Sequence, residues 1–167
     1  MESTRVKKAS LQSIIGMDLK TILVEQLTVY QTGEGWEYLC SEPVLRFQHL
    51  TNFGRPVYWV LSWAETEEGD DQLLIDETHD ADSLSQFRQI EGFGESVIVS
   101  SSIHLENTRV QRVFVYGYKD EEKEFLTSIV IKLENAYATL TSGPVFRVYV
   151  TNTFPENMDR ELFRAGE

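Results

Sequence analysis

A chain of 167 residues with 41% hydrophobic and 11% aromatic side chains has the size and apolar content for one domain with its own core, without a metal or disulfide framework. Its 27 acids against 15 Lys plus Arg give a net charge of -12, which excludes a broad electrostatic footprint on DNA or RNA and on an anionic membrane surface. The single cysteine, Cys40, forms no internal disulfide, so the expected compartment is the reducing cytoplasm.

At the N-terminus Arg5, Lys7 and Lys8 precede the apolar residues Leu11, Ile14, Ile15 and Met17, an order that imitates a signal peptide. Asp18 and Lys20 interrupt the run and no small-residue cleavage pattern follows, so residues 1–10 are expected to be a disordered basic tail on a single β-rich domain, 11–167. No uncharged apolar stretch approaches the roughly 18 residues of a spanning helix, so no membrane segment is expected.

Strand patterns follow in order. Ile22–Val29 is rich in β-branched residues. Leu19, Ile22, Leu23, Leu27 and Tyr30 also share a helical face with Asp18 as a cap, but Thr21, Ile22, Val24, Thr28 and Val29 favour the strand. Val44–Gln48 alternates, and Val57–Trp63 is apolar enough for a strand covered on both faces. Gly33–Gly35 and Asn52–Gly54 supply turns between these runs. Further on, Val97–Val99, Val110–Tyr116, Ile129–Leu133, Tyr137–Leu140 and Val145–Val150 read as strands. Helix is expected over Asp82–Ile90 and over Pro155–Phe163, where Pro155 suits a first turn. The expected fold is therefore mainly β: antiparallel meanders packed as a sandwich or barrel-like assembly, with one or two short helices. Leu19, Ile22 and Val24 align with Val110, Val113 and Val115 at an offset of 91 residues, which an internal duplication and a chance match of two meanders explain equally well.

Charge divides the chain more sharply than hydropathy does. Residues 1–64 and 96–167 are mixed, whereas 65–95 holds eleven acids and one base, Arg88, and reads as an acidic segment joining the halves 11–64 and 96–151.

Recognisable chemistry is sparse. His49, His79 and His104 lie in no catalytic signature, there is no G-x-S-x-G, and a lone cysteine such as Cys40 is ordinarily a small buried hydrophobe or an inert thiol. Asp76, Glu77, His79, Asp80 and Asp82 have the composition of a hard-cation site but match no established loop spacing, and a solvated acidic loop accounts for them better. Gly92-Phe93-Gly94-Glu95 lacks the third glycine or the lysine of a phosphate cradle. No catalytic residue, metal or cofactor is assigned.

The function expected is that of a non-enzymatic interaction domain engaging a basic protein partner, in the manner of an immunity or inhibitor protein or an assembly factor. The contact residues expected are Glu65, Glu67, Glu68, Asp70, Asp71, Asp76, Glu77, Asp80 and Asp82, with Tyr58 as an outward aromatic anchor if Trp59 faces the core. The alternative is a β-barrel or sandwich binding an apolar small molecule in an aromatic-lined pocket. Homo-oligomerisation through a strand edge is a third outcome.

Overall fold

In the computed structural model the described residues are 4–5, 8–50, 54–81, 84, 87–89, 96–98, 101–105, 108–121 and 123–166. In chain order they form β1 (Thr4–Arg5), α1 (Lys8–Ser13), β2 (Asp18–Gln31), β3 (Gly35–Gln48), β4 (Val57–Glu65), β5 (Asp71–Thr78), β6 (Phe87–Gln89), β7 (Ser96–Ile98), β8 (Ser101–Ile103), β9 (Arg112–Asp120), β10 (Lys123–Lys132), β11 (Tyr137–Thr141), β12 (Phe146–Thr151) and β13 (Arg160–Ala165). The fold is all-β, one antiparallel sheet curled into a half-barrel, with a separate two-stranded pair β6–β7. Among the described residues no helix is long and apolar enough to cross a membrane.

Two meanders, β2 to β5 and β9 to β12, make up most of the sheet, and they join through β3 and β12. The long strand β3 makes that junction. Along one edge it pairs with β2 from Gln48 to Trp36, while its other edge is shared: Val44–Phe47 pair with β4 and Gly35–Cys40 with β12. The handover falls at Ser41–Pro43, where Glu42 adopts φ 47°, a left-handed conformation uncommon outside glycine. Opposite it, β2 slips register between Leu23 and Glu25 and again between Glu25 and Thr28. Bulges of this kind bend a strand and break its alternation.

The concave face holds the core, in which Leu19, Ile22, Leu45, Phe47, Trp59, Leu61, Ile129, Ile131, Leu140 and Val148 are all completely buried. Leu11 and Ile14, from α1 and the turn after it, seal this core. On the opposite face Leu23, Val44, Tyr58 and Leu84 form a smaller cluster. Of Val57–Trp63, expected to be covered on both sides, residues 57–61 are, while Trp63 lies beyond the packed core and is exposed.

Four expectations are corrected. Of residues 1–10, read as tail, 4–5 pair with β5 as β1 and 8–10 open α1, which runs on to Ser13. The acidic segment is not a connector throughout, because Asp71–Thr78 is strand β5, paired with β4 along its whole length. Phe87–Gln89, placed in a helix, is strand β6; the remainder of that expected helix lies mostly outside the described residues. Arg160–Phe163, the last part of the expected helix Pro155–Phe163, belong instead to strand β13 on the free side of β9.

Candidate functional site

Thr66 to Asp70 form the turn joining β4 to β5, and its geometry gathers charge. Thr66 N–H donates to the Asp70 carbonyl (2.8 Å), Gly69 N–H to the Thr66 carbonyl (2.9 Å) and Asp70 N–H to Thr66 Oγ1 (3.1 Å). Gly69 sits at φ 89°, which a side chain would strain. The turn presents Glu65, Glu67, Glu68, Asp70 and Asp71, all exposed. Among the described residues none of these five carboxylates takes part in a salt bridge, whereas acids elsewhere sit beside bases: Asp18 with Lys20, Glu124 with Lys119, Glu134 with Arg109, and Glu161 with Arg164. Unpaired carboxylates this close in sequence add their fields, and water screens them only over about a Debye length of 8 Å at physiological ionic strength.

Next to the turn, the bend of β3 and the splaying of β4 from β12 open a cleft of about 490 Å³, lined by Glu25, Glu42, Leu61, Trp63, Pro144 and Phe146 among others. Trp63 occupies the inward register of β4 two residues past Leu61, beyond the packed core, and is 36% exposed. Its partner across the strand is Leu73, and one step on Glu65 faces Asp71. Aromatic, apolar and anionic groups therefore share one rim. On the far side of the turn Asp70 and Asp71 line a second pocket with Tyr118, Thr127 and Asp159, where Thr127 Oγ1 donates to Asp159 Oδ2 at 2.6 Å. Arg147 lines the adjoining groove with Asp71.

The remaining expected contact residues separate. Alternation along β5 sends Asp76 and Glu77 to opposite faces, and both are half-buried. Glu77 faces the core side, where its Oε1 accepts a hydrogen bond from Trp59 Nε1 (3.3 Å). Asp80 is half-buried, its N–H donating to Thr78 Oγ1 (3.2 Å). Asp82 lies outside the described residues. Tyr58 does point away from Trp59, but at 3% exposure it is no surface anchor, because Ala81 and Leu84 pack over it. Burial pushes its phenol pKa up, against a smaller lowering by Arg46. The exposed aromatic beside the acidic turn is Trp63, which the sequence signals only as the last inward position of an apolar strand. Glu25, Glu42 and Asp159 reach the site through long-range pairing that no local window reveals.

Cys40 does not supply a nucleophile. It is 2% exposed on the core face of β3, opposite Phe146, and burial pushes its thiol pKa up to about 12. A thiol without thiolate character or access is unreactive. The folded protein is expected to release no colour from Ellman's reagent over hours and one equivalent at once in denaturant; rapid native labelling would contradict the packing. Among the described residues no three His, Cys, Asp or Glu side chains are grouped to hold a metal ion.

Comparison with known proteins gives no match: no family model, no curated protein and no solved structure resembles the chain.

Proposed function

We propose that this protein is a non-enzymatic interaction domain that docks a basic protein partner on the acidic β4–β5 turn and the cleft beside it, as an immunity, inhibitor or assembly protein acting in the cytoplasm would. The observation that carries the reading is the concentration of five exposed carboxylates, without salt-bridge partners among the described residues, next to an exposed tryptophan. Negative potential at the turn steers a basic surface into encounter, and a lysine or arginine of the partner then gains by settling over the Trp63 ring with Glu25 and Glu42 lining the same cleft. Steering sets the rate of arrival, and the desolvated anchor sets the residence time.

Asp70→Lys together with Asp71→Lys is expected to slow association at least about tenfold at low salt with little change in dissociation, since steering acts on encounter. Trp63→Ala is expected to do the reverse, speeding dissociation. The partner is captured from a host lysate at low and moderate salt with wild-type protein and the double variant as baits, and its rates are then measured by surface plasmon resonance. Recovery of no basic protein at low salt, or equal recovery by the reversed bait, would sink the proposal.

A further inference from the structure

Further along β3 the concave face opens a second time. Trp36 and Tyr38 stand in the same inward register as buried Cys40, but here the core ends: Trp36 is 44% exposed, and Val29 on β2 across from Tyr38 is 45% exposed. A groove of about 440 Å³ begins at this mouth, within the range of about 300–1,000 Å³ of small-molecule sites, which favour the mouths of β-barrels. Trp36, Tyr38 and Val150 form one wall, Leu105 and Ala136 the other, and the side chains of His104, Asn135 and Asn152 supply polar groups.

Turns fix the polar groups in place. Leu133 N–H donates to the Ala136 carbonyl (2.9 Å) across the turn that carries Asn135, and Asn152 N–H donates to the Glu34 carbonyl (3.3 Å) at the end of the β2–β3 hairpin. Ser102 Oγ lies 3.1 Å from His104 Nε2 and orients the ring. Each amide offers both a carbonyl acceptor and N–H donors, so the polar side of the groove matches hydroxyl groups, which also donate and accept.

Charge narrows the ligand. Among the described residues that line it there is no carboxylate, lysine or arginine, whereas two other clefts carry Glu25 and Glu42 or Asp70 and Asp71. An ionic ligand would give up hydration here without an opposite charge to replace it. A neutral molecule with an apolar ring face and a hydroxylated edge satisfies both walls: its C–H face lies on the Trp36 indole while its hydroxyls reach Asn135, Asn152 and His104. We infer that the groove between Trp36 and Asn135 is a binding site for a neutral saccharide, separate from the acidic site and roughly 20 Å from Glu42 at about 3.3 Å per strand residue.

The test is a titration followed by NMR of the tryptophan indole N–H and the asparagine side-chain amides, with cellotetraose, maltotetraose, chitotetraose and mannotetraose as separate probes and adenosine as a non-saccharide ring. At least one tetrasaccharide is expected to give saturable shifts at Trp36, Asn135 and Asn152. Trp36→Ala is expected to weaken that binding about tenfold, as is Asn152→Ala; both residues are exposed, so the fold is retained. Affinity is expected to be the same at low and high salt and in the Asp70→Lys, Asp71→Lys variant, which separates this site from the protein-binding reading. Saturation by adenosine without any by the saccharides, shifts that persist in Trp36→Ala, or no saturable binding of any tetrasaccharide at millimolar concentration would each overturn the inference.

Discussion

Trp59→Ala is expected to lower the free energy of unfolding by about 3–5 kcal/mol, the range for emptying a fully buried aromatic site. Trp59 is completely buried, and its ring meets Phe47 edge-on at 4.9 Å between centroids, a geometry that adds to simple burial. Its neighbours in the ladder are Leu45 and Glu77, so the indole lies in a row that crosses three strands. The cavity is only part of the loss. Glu77 gives up the indole N–H, and a half-buried acceptor left without its donor costs about 1–3 kcal/mol. Trp59→Phe isolates that second contribution, because it keeps most of the ring volume. In a chain of this size each kcal/mol moves the midpoint by about 2–4 °C, so the alanine variant is expected to melt about 10 °C or more below wild type. Urea denaturation at constant m value gives the free energy directly. Trp63→Ala, two inward positions further along the same strand, is expected to cost less than half as much because its side chain is already about one third open to water. Equal losses at the two positions would mean that the core does not end where the cleft begins.

That contrast also shows how far the sequence reaches. Alternation and β-branching place β4 and the meander from β9 to β12, and β-branching favours strand at Ile22–Val29, where the structure has β2 (Asp18–Gln31) despite the segment's helical face. Alternation also puts Tyr58 and Trp59 on opposite sides of the sheet. Exposure is another matter, since Tyr58 is covered by residues 81 and 84, whose return over the outer face leaves no mark near position 58. In β5 the inward residues Leu73 and Ile75 are flanked by Asp71, Asp76 and Glu77, so a strand with one buried face reads as a solvated acidic run. β13 was hidden by its own irregularity: a register shift between Glu161 and Phe163 sets Leu162 beside Phe163 and destroys the period of two. The proposed site divides along the same line. Its charge is local and visible as the cluster from Glu65 to Asp71, but Glu25, Glu42 and Trp63 converge only because β3 bends at Glu42 and passes its edge from β4 to β12.

Gly117→Ala is expected to destabilise the second meander by about 3 kcal/mol, the upper end for adding a methyl group to a filled space. Gly117 in β9 faces Leu126 of β10 on one side and Arg160 of β13 on the other. A Cβ built there would lie 1.9 Å from the Phe125 carbonyl oxygen and 3.0 Å from Leu162 Cδ1. The nearer obstacle is main chain, so no rotamer change relieves it and the strands must part. They would part at a bulge, because the register of β10 slips between Leu126 and Ser128 and leaves Thr127 out of the ladder. Thr127 uses that freedom to hold two neighbours: its hydroxyl donates to Asp159 and its carbonyl accepts from Ser142 N–H (3.0 Å) and Ser142 Oγ (3.0 Å). Asp159 in turn lines the pocket beneath Asp70 and Asp71, so the strain is expected to reach the acidic turn as well as the sheet. Gly33→Ala is the control: a Cβ at Gly33 meets nothing within 4 Å, and the substitution is expected to be neutral within about 0.5 kcal/mol. Hydrogen exchange reads the difference by region. In Gly117→Ala the amides of β9, β10 and β13 are expected to lose protection by about two orders of magnitude, as 3 kcal/mol requires, while those of β2 and β3 keep theirs; uniform loss across all five strands would show instead that the two meanders unfold as one unit.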